Sequence, residues 1–149
     1  MSGRISRDEL FMTVAETFAE RSTCLRGQVG AVIILDNHIV AHGYNGAPAN
    51  LPHCTEVGCA VSPDHLELGC QRAIHAEANA IAWAAKQGMG TEGARMFSTA
   101  SPCVKCAELI IQAGIVEVVW QYEYRIPDGL LLLDRAAIMT RQFVRDLEG

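Results

Sequence analysis

The chain has no apolar run long enough to cross a bilayer. Its first residues, Met1 to Glu9, lack the apolar core of a secretory signal. Both absences point to a cytoplasmic protein, in which thiols stay reduced. Positive charge is also in short supply. Lys and Arg number 12 against 17 Asp and Glu, for a formal net charge of -5. That balance argues against a broad phosphate-tracking surface, and so against polymeric DNA or RNA as a partner. A small anionic substrate stays open, because it needs only one or two well-placed cations. No internal repeat, linker or low-complexity tract interrupts the chain.

What is present fits one folded unit. Half of the residues are hydrophobic and 19% are charged, enough apolar surface to bury a core. Residues 1–149 are therefore expected to form a single domain. Ser6-Arg7-Asp8-Glu9 has a cap residue followed by acidic groups, and Leu10, Phe11, Val14, Phe18 and Ala19 follow at helical spacing. Residues 28–35 and 39–43 are apolar and β-branched around Asp36-Asn37, which predicts a hairpin. Helices are expected over 75–87, 103–113 and 129–137, and strands over 95–99 and 115–121. Residues 138–144 read as a last strand or an extended tail. Helices alternating with buried strands predict a three-layer α/β/α sandwich around a mixed five-stranded sheet. Residues 44–72 show no period, and so long a loop is expected to be functional or fastened.

Chemistry concentrates in two segments, Ile74-His75-Ala76-Glu77-Ala78-Asn79 and Ser101-Pro102-Cys103-Val104-Lys105-Cys106. They offer one imidazole, two thiolates and a carboxylate. A hydrolytic zinc centre uses a few protein ligands and keeps a position for water, whereas a structural site closes its shell with four. His75, Cys103 and Cys106 are the expected ligands, with Glu77 handling protons. Cys-x-x-Cys alone reads equally as half a zinc finger or as a redox pair. Pro102 in front, and His-Ala-Glu one strand upstream, favour a zinc deaminase. Two residues along a helix turn through about 200°. His75 and Glu77 therefore converge only if His75 stands outside regular helical geometry.

These segments, with Arg21-Ser22-Thr23-Cys24, Gln28-Val29-Gly30-Ala31-Val32, Gly43-Tyr44-Asn45-Gly46, His53-Cys54 and Gln112-Ala113-Gly114-Ile115, resemble the deoxycytidylate deaminases of the cytidine deaminase superfamily. The resemblance covers nearly the whole chain. It implies hydrolysis of dCMP to dUMP and ammonia, which supplies thymidylate synthesis. His75, Cys103 and Cys106 match the family's zinc ligands and Glu77 its proton shuttle. Asn45 matches a sugar contact, Ala31-Val32 would run beside the pyrimidine, and the Ser101 region would accept from the amine being lost. Tyr124-Arg125 resembles a Tyr-Arg step whose arginine clamps a phosphate, or else is a solvated strand end. The resemblance further implies a homo-oligomer, often a hexamer, with dCTP and dTTP as effectors.

Four cysteines remain: Cys24, Cys54, Cys59 and Cys70. Reduced thiols on loosely patterned chain suggest a second, structural zinc, with buried free cysteine as the plain alternative. The resemblance matches Cys24 and Cys54 to a second site. Cys59 and Cys70 are expected to complete it, with His65 as the main rival ligand and His53 a weaker one. His38 and His42 receive no role. Trp83 and Trp120 read as core or interface aromatics, and Lys105 as solvated. The rival functions are a deaminase of 5-modified dCMP, cytidine or tRNA adenosine, and a non-catalytic zinc-stabilised regulatory subunit. The acidic charge speaks against a tRNA substrate, and the presence of Glu77 against a purely structural site.

Overall fold

Gly30–Leu35 is apolar along its whole length because it is covered on both faces. This strand, β1, sits inside a sheet, and its side chains alternate between two cores. Ala31 and Ile33 join one apolar cluster, while Val32 and Ile34 join the other. β3 (Arg95–Ala100) repeats the pattern with Met96 and Phe97, and β4 (Glu117–Tyr122) with Val118 and Val119. The structure, a computed structural model, describes residues 3–61, 63, 70–124 and 126–145.

β1 and β2 (His38–Tyr44) form the expected antiparallel hairpin. Its turn residues Asp36 and Asn37 have φ of 52° and 65°, a conformation these two residue types tolerate well. The five-stranded sheet has the order β2-β1-β3-β4-β5, where β5 is Met139–Gln142. β1 runs antiparallel to β2 and β3, and β3, β4 and β5 run parallel. The mixed sheet is the one expected, and the ambiguous tail resolves as its edge strand.

Helix α1 (Arg7–Ala19) covers one face, where Phe11, Met12 and Ala15 pack on Val32 and Phe97. Its cap is Ser6, whose hydroxyl accepts from the Glu9 N–H at 3.1 Å. Short helix α2 (Cys54–Val57) lies in the long segment after β2. Helices α3 (Ala76–Lys86), α4 (Val104–Gln112) and α5 (Asp128–Arg135) contribute to the other core. The result is three layers.

Two close approaches fix the site helices. α3 turns Ala76, Ala80 and Ala84 inward, all buried. Small side chains let its backbone rest on β2 at Gly43, where a Cβ would lie 2.5 Å from both the Ala76 carbonyl and the Ala80 nitrogen. The Asn79 amide then donates to the Tyr44 carbonyl at 2.8 Å, which pins the same contact. At the opposite wall, Gly129 at the start of α5 sits directly on the Pro102 carbonyl, where no larger residue fits.

The segment without periodicity is fastened at its base. Gly46 and Ile74 exchange backbone hydrogen bonds of 3.1 and 2.8 Å. Val61 and Cys70 form a second isolated bridge, and Arg72 Nε donates to the Gly58 carbonyl at 3.2 Å. Among the described residues no helix is long and apolar enough to cross a membrane.

Candidate active site

The helices α3 and α4 begin with metal-ligand residue types, and both first residues stand outside the helix. His75 caps α3 with φ -70° and ψ 154°, and Cys103 caps α4 with φ -74° and ψ 173°. Both are extended, so each side chain is freed from the helical screw. Glu77 lies in the first turn of α3 and Cys106 in the first turn of α4. The angular conflict between His75 and Glu77 disappears for this reason.

His75 Nδ1 is 3.4 Å from Cys103 Sγ and 3.5 Å from Cys106 Sγ. All three donors lie within 4.8 Å of one another. Zinc–sulfur and zinc–nitrogen bonds of about 2.3 and 2.0–2.1 Å at a tetrahedral angle separate S from N by about 3.5 Å. The donor triangle thus has the size zinc requires. Its electrostatics agree. The hydrogen bond from Cys106, with help from His75, pulls the Cys103 thiol down to about 4. The same contact, together with burial, pushes Cys106 up. Two sulfurs this close do not both ionise readily by themselves, and a divalent cation removes the conflict. The Cys103 sulfur raises His75 by hydrogen bonding.

Glu77 is only 4% exposed. Burial raises its carboxyl above the ordinary value, with the His75 imidazole opposing. The fully buried Ser98 hydroxyl donates to its Oε1 at 3.3 Å. Glu77, His75 and Cys103 line a cavity of about 340 Å³, within the range of small-ligand sites.

The other expected residues divide. Asn45 lines the cavity and ties its wall, since Oδ1 accepts from the Val29 N–H at 2.9 Å and Nδ2 donates to the Gly27 carbonyl at 2.8 Å. Ser101 also lines it, and its hydroxyl accepts from the Tyr124 N–H at 2.5 Å. That bond holds the wall that carries Tyr124. Ala31 and Val32 are both fully buried and neither lines the cavity. Strand alternation sends them to opposite cores, so Val32 packs with Phe11 on the far side of the sheet. Val29 takes the wall position instead. Arg125 and His65 lie outside the described residues.

Sequence reasoning missed Arg26, the one Lys or Arg among the described residues lining this cavity. It stands two places beyond the Arg21-Ser22-Thr23-Cys24 segment, and its basic charge in an acidic chain was the available signal. Ser98 was also missed. It is brought to Glu77 by strand pairing, and no local pattern marks it.

Cys54, Cys59 and Cys70 place their sulfurs within 4.8 Å of one another. The Cys54 and Cys70 sulfurs are 3.7 Å apart, close to the tetrahedral S–S edge of about 3.8 Å around zinc. Burial pushes the Cys54 thiol up to about 11. Burial also raises Cys70, but the backbone N–H groups of Ala73, Ala60 and Arg72 overcome it and bring that thiol down to about 7. Cys24 is not in this triad. It lines the catalytic cavity, as Cys70 does, and its Sγ accepts from the Arg26 N–H at 3.4 Å.

Comparison with known proteins agrees with this geometry. Residues 5–122 match the family described as the cytidine and deoxycytidylate deaminase zinc-binding region. The chain is 41% identical over 144 residues to ComE operon protein 2 of Bacillus subtilis, covering 96% of this chain and 74% of that one. It is 36% identical over 143 residues to the deoxycytidylate deaminase of Saccharomyces cerevisiae, covering 94% of this chain but 46% of the yeast enzyme. It thus spans just under half the yeast protein's length. Its fold superposes on the dCMP deaminase of cyanophage S-TIM5, solved in complex with dCMP and dUMP, with a TM-score of 0.80 and 34% identity over 96% of this chain and 99% of that one. A buried Glu77 beside a zinc-sized His-Cys-Cys triangle, on this sheet and with these relatives, makes the chain a member of the cytidine and deoxycytidylate deaminase zinc-binding family.

Proposed function

We propose that this protein is a hydrolytic deaminase that converts dCMP and water to dUMP and ammonia. The observation that carries the proposal is the cavity itself: it joins the His75-Cys103 edge of the donor triangle, the buried Glu77 and the Arg26 cation in one space. The phage relative with dCMP and dUMP bound supports the choice of nucleotide.

His75, Cys103 and Cys106 would hold the zinc. Zinc bound there supplies Lewis acidity, which brings the ionisation of water from 15.7 to roughly 7. Glu77 takes a proton from the attacking water and delivers protons to the pyrimidine ring nitrogen and then to the departing amine. Its burial serves this role, since it raises the carboxyl above its usual value and so makes the carboxylate a stronger proton acceptor. Asn45 and Ser101 hold the walls in place, and Arg26 offers the charge partner for the 5′-phosphate.

A second zinc, held by Cys54, Cys59 and Cys70 with Cys24 supplying the fourth thiolate, belongs to the same proposal. The spacing of the triad supports it. The likeness to deoxycytidylate deaminases supports a cytoplasmic homo-oligomer, with a hexamer as the expected size, and dCTP and dTTP as effectors. A panel of dCMP, CMP, deoxycytidine, cytosine and dCTP, followed by ultraviolet absorbance, tests the substrate. dCMP should be turned over fastest, and a wild-type protein that leaves it intact sinks the reading. Saturation curves with and without dCTP test regulation, and identical curves would exclude it.

A further inference from the structure

We infer that Ser98 is a positioning residue for Glu77, pinning one carboxylate oxygen so that the other stays aimed at the reacting centre. The inference rests on the reading of Glu77 as proton carrier.

Ser98 is 0% exposed and occupies a place built for an apolar side chain. It pairs with Ala31 across β1 and with Trp120 along β4. Two residues away on the same strand face, Met96 packs into the apolar core against α3. A hydroxyl in such surroundings is unfavourable without a partner. The Ser98 hydroxyl donates to Glu77 Oε1 at 3.3 Å. The neighbouring hydroxyl, Thr99, accepts from the Gly30 N–H at 3.2 Å and so serves the backbone. Of these two neighbouring hydroxyls, Ser98 is the one directed at the Glu77 carboxylate.

Glu77 needs such a restraint. Its terminal torsion is broad and roughly two-fold, so packing alone fixes its oxygens poorly. Cys106 approaches the same carboxylate by hydrogen bonding from the ligand helix. With Cys106 as a metal ligand its sulfur would no longer donate, which leaves the Glu77 backbone N–H and the Ser98 hydroxyl to hold the carboxylate. Ser98 does not line the cavity and belongs to neither donor cluster. It acts through Glu77.

The test compares wild type, Ser98→Ala and Ser98→Thr as zinc-loaded protein, with kcat, KM, zinc content and Tm measured on each. A hydrogen bond to a charged group corresponds to roughly a ten- to hundredfold change in rate. Ser98→Ala should lower kcat by that factor, with KM for dCMP, zinc content and Tm close to wild type. Ser98→Thr, which keeps the hydroxyl, should restore most of the rate. A Ser98→Ala protein with kcat within twofold of wild type overturns the inference. So does parallel loss of kcat and Tm in both variants, because that marks a packing role. Wild type inactive on dCMP would overturn the functional reading and this inference with it. An active wild type with an indifferent Ser98→Ala overturns this inference alone.

Discussion

Gly43→Ala is expected to damage catalysis although Gly43 itself does not line the active-site cavity. A Cβ at this position lies 2.5 Å from the Ala76 carbonyl and the Ala80 nitrogen and 2.9 Å from Asn79 Cβ. Ordinary contact begins at 3.4 Å, and the two closest atoms are backbone. The first turn of α3 must therefore retreat from β2 by about 1 Å. Overpacking of this kind costs about 1–3 kcal/mol, or roughly 3–10 °C in Tm for a chain of this size. Glu77 travels with that turn, while Ser98 stays with the sheet. Their 3.3 Å bond stretches by the same amount and leaves hydrogen-bonding range. A displacement of 1 Å at a reacting group lowers the rate about a hundredfold. The control is Gly90→Ala, where an added Cβ meets nothing within 4 Å. Calorimetry and dCMP turnover of both variants decide the matter. Gly43→Ala with wild-type kcat and Tm would refute the claim that backbone contact between α3 and β2 sets the catalytic geometry.

Other expectations follow from the site and its supports. Arg26→Ala should raise KM for dCMP roughly ten- to a hundredfold while changing KM for deoxycytidine little, and equal effects on both would remove Arg26 from the phosphate. Replacing Cys54 and Cys59 together with Ser should lower zinc content from two ions per chain to one, read by elemental analysis. An unchanged count would defeat the second site. Arg141 pairs with Asp8 at 2.5 Å, and that hydrogen bond holds the Asp8 carboxyl below its usual value. The group gains stability above its unfolded pKa near 3.9 and loses it as pH falls through the lower folded value. The Tm gap between wild type and Arg141→Ala should hold steady above about pH 5 and close in more acid solution. A gap that widens there would reverse the sign of this argument.

The metal triangle was legible because its ligands come from two short local patterns, each at a helix start. The sequence also showed that His75 and Glu77 conflict on a regular helix, and the extended cap conformation of His75 resolves the conflict. Most of the order of elements was equally plain, since Gly, Asn and Asp punctuate the apolar runs, but short helix α2 was not expected and β5 read as either a strand or a tail. Contacts made across the sheet were not legible. Ser98 meets Glu77 only after β3 has paired with β1 and α3 has settled on Gly43, so nothing within a few residues announces it. The segment Ala31-Val32 was expected beside the pyrimidine, and alternation along β1 puts its two side chains on opposite faces of the sheet. The cysteine cluster lay between: the thiols were countable, but which of them meet depends on the path of the 54–70 segment.

The most direct test of the account is dCMP turnover by zinc-loaded Glu77→Gln, with its bound zinc measured on the same sample. The amide keeps the shape of the carboxylate and loses its proton chemistry, so zinc content should match wild type while kcat falls by at least about a hundredfold. A fully zinc-loaded variant that deaminates dCMP at the wild-type rate would contradict it.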